Sequence, residues 1–164
     1  MKNQFWKYVG TLVVAALAIG LFTEVLVSAQ SGNEQGLVGS WDTVVTPRDC
    51  DTGVPIPFIP PFMAVQTYNQ GGTMLTSNMG APGVTTLEGH GVWEHGVGRE
   101  YSVAFRILKF NPDGTYAGRD VIRDVISLDI GGNSYSSTGA VEILDTNGNL
   151  ILRGCATSLA TRFR

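Results

Sequence analysis

Four short clusters of Asn, Asp and Gly punctuate this chain, and they constrain its fold more than any other feature. They are Asn69-Gln70-Gly71-Gly72, Asn111-Pro112-Asp113-Gly114, Gly131-Gly132-Asn133 and Asp145-Thr146-Asn147-Gly148-Asn149. Residues of these types tolerate positive φ or hydrogen-bond their own backbone, so each cluster reads as the turn of a β-hairpin. Hairpins join antiparallel neighbours, and a chain punctuated in this way is antiparallel and nearly all β. Around the turns lie eight runs of strand character: Leu37–Thr46, Phe62–Tyr68, Thr73–Asn78, Gly89–His95, Glu100–Phe110, Thr115–Ile130, Ser134–Leu144 and Leu150–Phe163. A helical pattern competes at Arg119–Leu128, where Val121, Ile122, Val125 and Ile126 fit an i, i+1, i+4, i+5 spacing. Four β-branched residues in that run favour strand.

Alternation within the runs points to the architecture. In Glu100–Phe110, Tyr101, Val103, Phe105 and Ile107 share one face and Glu100, Ser102, Ala104 and Arg106 the other, so one side is buried and the other mixed. In the last run Leu152, Gly154, Ala156, Ser158 and Ala160 make a face almost wholly of small side chains. A closed sheet of about eight strands has an interior that is either just filled or just roomy enough for a small ligand, and a small-residue inner face favours room. That face can equally pack against large residues opposite, such as Trp93 or Tyr101. Successive hairpins without a long crossover predict a single small up-and-down barrel over residues 37–164, whose closure removes exposed strand edges.

With 164 residues, 43% of them hydrophobic and only 15% charged, the chain has the makings of one core and not of a disordered segment. A net charge of −3 leaves no basic surplus for a phosphate backbone, so no nucleic-acid partner is expected. The first residues read as an export signal. Lys2 and Lys7 precede an apolar stretch, Leu12–Phe22, and Val27-Ser28-Ala29 places small residues at the cleavage positions ahead of Gln30. Residues 1–29 are thus expected to be a removable signal peptide, followed by a linker over 30–36. The alternative is a retained anchor over Tyr8–Val27, which would hold Glu24 in the apolar zone. Loss of Lys2, Lys7 and Glu24 turns 11 basic and 14 acidic residues into 9 and 13, and the net charge into −4. The expected compartment is extracytoplasmic, secreted or periplasmic, with no membrane association after cleavage. Cys50 and Cys155 are the only cysteines, and in an exported protein such a pair reads as one disulfide tying the first segment of the domain to the last.

The first strand opens Leu37-Val38-Gly39-Ser40-Trp41, and Gly39-x-Trp41 at the start of a small exported eight-stranded meander resembles the opening motif of the lipocalin or calycin superfamily. The resemblance covers this motif, the strand count and the chain end; the family's middle Thr-Asp-Tyr motif has no counterpart here. It implies that Trp41 plugs the closed end of a barrel and that Arg162, near the end of the last strand, packs over it.

The segment Val54-Pro55-Ile56-Pro57-Phe58-Ile59-Pro60-Pro61-Phe62 falls where calycin-like barrels carry the loop that lids the open end. Its apolar side chains either cap a cavity or meet a partner. The residues expected to reach a ligand are Phe58 and Phe62 from that lid, Trp93 and Tyr101 opposite the small-residue face, and Arg106 as a polar contact. His90 and His95 are five apart on one strand and point to opposite faces, so no metal site is expected of them without a bulge. No nucleophile elbow, Walker loop or dinucleotide fingerprint occurs, and no cofactor is expected. Arg119, Asp120, Arg123 and Asp124 read as cross-strand ion pairs on the outside. Together these features favour a barrel that binds a small apolar or amphipathic molecule. The alternatives are an interaction protein that uses residues 54–62 as its contact surface, and a cyclase- or isomerase-type enzyme drawing on Glu88, His90 or Arg106.

Overall fold

A computed structural model describes residues 36–78 and 85–164. The expected signal peptide, and all of the linker but Gly36, lie outside the described residues. Nine strands follow one another: β1 (Gly39–Arg48), β2 (Phe62–Tyr68), β3 (Thr73–Asn78), β4 (Thr85–Thr86), β5 (Gly89–His95), β6 (Glu100–Phe110), β7 (Tyr116–Leu128), β8 (Ser134–Leu144) and β9 (Leu150–Arg162). There is no helix among the described residues.

With β4 set aside, each strand pairs antiparallel with the next in the chain, β3 with β5 among them, and β1 pairs with β9, so the sheet closes into an eight-stranded up-and-down barrel. The fold is the one the turns and alternation predict. Arg119–Leu128 is strand, paired residue by residue with β6 and β8. Strand β4 is the addition: two residues laid against Lys109 and Phe110 at one edge of β6, too short to leave an alternation in sequence.

Local chemistry explains the turns. Asp145 accepts the backbone N–H groups of Asn147 and Asn149, and Gly148 supplies the left-handed step at φ +87°. Asp129 takes the N–H groups of Gly131, Asn133 and Ser134 in the same manner, which holds its carboxyl below the usual range. Burial alternates along the strands, and the inward set includes Trp41 and Thr43 on β1, Gln66 and Tyr68 on β2, Val103, Phe105 and Ile107 on β6, and Ser158 and Ala160 on β9. The small-residue face of β9 therefore turns inward.

Candidate functional site

The two ends of the barrel interior differ. The end that carries the β2–β3, β5–β6 and β7–β8 turns is plugged by aromatic rings. Trp41 is fully buried, donates from Nε1 to the Leu37 carbonyl at 2.9 Å, and meets Tyr135 edge-on at 4.9 Å. The Arg162 guanidinium lies over the Trp41 ring, 4.2 Å from its centroid, and donates to the carbonyls of Gly36, Val38 and Gly132 at 2.7–2.8 Å. A Cβ on Gly39, whose φ is +133°, would collide with that guanidinium, so both the backbone and the packing call for glycine there. Tyr68, Trp93 and Tyr101 extend the plug, with Trp93 at 6.4 Å from Tyr68 and 5.8 Å from Tyr101.

The other half is hollow. A cavity of about 240 Å³ opens toward the β1–β2 loop, walled by Phe62, Phe105, Ile107, Ile122, Val141 and Ile143. Its room comes from Gly139, Ala156 and Ser158, small residues where a barrel of this size would otherwise be filled. Polar groups enter at the floor. Gln66 Oε1 accepts the hydroxyls of both Tyr68, at 2.8 Å, and Tyr135. Since the Tyr135 proton is committed to Gln66, the Thr43 hydroxyl at 3.1 Å is the donor to Tyr135. Burial raises both phenols above their ordinary value, so they stay neutral donors.

Two carboxylates also face inward, and here the structure corrects the expected pattern of outer ion pairs. Asp120 and Asp124 share parity with Ile122, Ile126 and Leu128, and burying those apolar residues carries the carboxylates in with them. The face left outside holds Arg119, Arg123 and Val125, with Val125 54% exposed. Arg123 does form an outer pair, but with Glu142 at 3.2 Å, and Arg153 meets the same carboxylate at 3.2 Å. Inside, Asp120 is neutralised by Lys109 Nζ at 2.6 Å. Among the described residues Asp124 has no hydrogen-bond or ion-pair partner, and burial pushes its carboxyl up to about 6. Its register partner on β8 is Gly139, and a Cβ there would overlap the Asp124 carboxylate.

Of the five residues expected to reach a ligand, Phe62 lines the cavity. Phe58 does not cover the mouth: it is 83% exposed. Its loop folds back on β1 instead, through the Arg48–Pro55 bridge, the Ile56 N–H to the Pro47 carbonyl at 3.1 Å, and Gly53 against Asp49 and Arg48. Trp93 and Tyr101 belong to the plug. Arg106 is on the outer wall, where Leu87, Glu88, His90 and Leu108 surround it in a shallow depression. His95 stacks on Tyr101 at 4.8 Å and donates from Nε2 to the Gly98 carbonyl. Cys50 and Cys155 form a disulfide, their Cα atoms 5.2 Å apart, which fastens the start of the β1–β2 loop to the outside of β9. The residues that sequence reasoning did not single out for the cavity are Gln66, Asp120, Asp124 and Gly139. Only Gly139 left a signal, as a glycine in the middle of a strand run.

Among the described residues no three His, Cys, Asp or Glu side chains gather where they could hold a metal ion, and no helix is long and apolar enough to cross a membrane. Comparison with protein-family models, curated proteins and solved structures found no match.

Proposed function

We propose that this protein is an extracytoplasmic barrel of the calycin type that holds a small apolar or amphipathic molecule in the open half of its interior. The observation that carries the reading is the asymmetry of that interior, plugged by Trp41, Tyr68 and Tyr135 at one end and hollow for about 240 Å³ at the other. An apolar cavity of about 150 Å³ takes a benzene molecule, so this one suits a single ring with a short substituent. Its lining, apolar walls with a few polar groups, is the usual composition of a small-molecule site. The Cys50–Cys155 disulfide and the signal-like residues 1–29 support export to an oxidising compartment.

The test is native mass spectrometry of the protein recovered from an oxidising compartment, read against its denatured mass. An adduct that disappears on denaturation is expected, and Ala156→Leu, which projects into the cavity, should abolish it while the barrel still melts cooperatively. An unliganded mass combined with no uptake of any single-ring probe, neutral such as indole or charged, would overturn the reading. A second reading is favoured by the exposure of Phe58: residues 54–62 as the contact surface of an interaction protein. It predicts that Phe58→Asp abolishes co-purification of a partner and leaves indole uptake unchanged.

A further inference from the structure

An unpaired carboxylate in an apolar cavity is costly unless something pairs with it, and this barrel spends that cost beside empty space. We infer that the molecule held in the cavity carries a protonated amine, which pairs with the Asp124 carboxylate while its apolar frame fills the space between Phe62, Phe105 and Ile122. The inference rests on the cavity-binding reading above and names the chemical class of its ligand.

The neighbouring groups narrow the choice. The titratable side chains that face this half of the interior are Tyr68 from β2, Lys109 from β6, Asp120 and Asp124 from β7, and Tyr135 from β8. Strands β1, β3, β5 and β9 offer it only uncharged residues, such as Val45, Thr76, Gly91 and Ser158. Lys109 is bound to Asp120 at 2.6 Å, so it is not free to neutralise Asp124. The two phenols are directed at Gln66. The one interior charge without a partner among the described residues is thus negative. A ligand without a donor would strip the last water from that carboxylate and replace it with nothing, a neutral hydroxyl would replace it without cancelling the charge, and an anionic ligand would be repelled. A cationic nitrogen replaces the lost hydration with a charge-assisted hydrogen bond. Gly139 fits the same purpose, because its missing side chain is what allows the carboxylate to lie against β8.

Calorimetric titration of the full chain with 2-phenylethylamine and with 2-phenylethanol, a neutral molecule of the same size, tests the inference. At pH 7.5 the amine should bind at least about tenfold tighter than the alcohol, the range expected of a hydrogen bond to a charged group. Asp124→Asn should erase that preference while the alcohol still binds. In the wild-type protein the preference should shrink below about pH 6, where Asp124 takes up its proton, a readout that does not depend on the variant folding. Equal affinity for the two probes, or a preference that survives Asp124→Asn, would each overturn the amine assignment and leave the cavity reading standing. Failure of both probes to bind would overturn both.

Discussion

Asp124 and Gly139 are register partners across β7 and β8, and the carboxylate of the first occupies the space in which the second would carry a Cβ. Gly139→Ala should therefore destabilise the barrel by about 1–3 kcal/mol, the usual cost of overpacking. The cost should fall in an Asp124→Ala background, since the obstructing oxygens are then gone, and a double-mutant cycle by denaturant unfolding measures the coupling. An unchanged cost would mean that the β7 backbone, not the carboxylate, is the obstacle.

The buried carboxyl also makes stability depend on pH in a direction opposite to that of most acidic residues. Its folded value, about 6, lies above the ordinary 3.8, so the folded protein holds the proton where the unfolded chain has released it. Stability from this group is full below about pH 4 and is lost as pH rises through 6. Asp124→Asn should accordingly stabilise the protein at pH 7.5 by on the order of 2 kcal/mol, with the difference from wild type vanishing near pH 4. Paired melting curves at the two pH values decide it. The turn carboxylates Asp129 and Asp145, whose values are lowered, act in both proteins alike and cancel from the difference.

At the plugged end, Arg162 ties Trp41 to three carbonyls from two segments, Gly36 and Val38 ahead of β1 and Gly132 in the β7–β8 turn. Arg162→Ala should cost about 2–4 kcal/mol, because carbonyls that accept from a charged donor lose it together with the ring contact. Arg162→Lys should recover little of this, since one ammonium cannot reproduce a planar fork. Chemical denaturation of both variants is the check, and full recovery by lysine would show that charge alone holds the plug.

The disulfide is expected to act on stability and not on the plug. Cys50 and Cys155 are 105 residues apart, and releasing a loop of that size should remove up to about 4.7 kcal/mol in the chain-entropy account. Because the bond lies outside the wall near the open end, the near-ultraviolet signal of Trp41 and Trp93 should be the same in the Cys50→Ser/Cys155→Ser protein below its melting point.

How much of this was legible in the sequence depends on how local the signal is. Hairpin turns and period-two alternation are written within a few residues, so the eight long strands and their order could be read directly, and two cysteines can pair in only one way. The facing of β7 was different. Alternation tells which side chains share a face but not which face is inside, and in this strand Asp120 and Asp124 stand on one face while Arg119 and Arg123 stand on the other. Charge on both sides makes the two faces look equivalent until neighbouring strands bury Ile122 and Ile126. The segment around Phe58 failed to announce its exposure for a related reason. Its apolar composition argues for burial, but where it lies is set by hydrogen bonds to Arg48 and Pro47 that no local pattern reveals.

The pairing of β1 with β9 gives the barrel a cyclic order in which no strand is first. Arg162 reaches the Gly36 carbonyl, so a short linker could join the two ends of the described domain at the plugged pole, and the chain could be reopened within the Asn111–Thr115 turn at the mouth. Such a permuted chain would keep every antiparallel pair and place its new ends beside the cavity. A reporter attached there would sit at the entrance, while the same reporter attached at Arg164 would sit at the opposite pole.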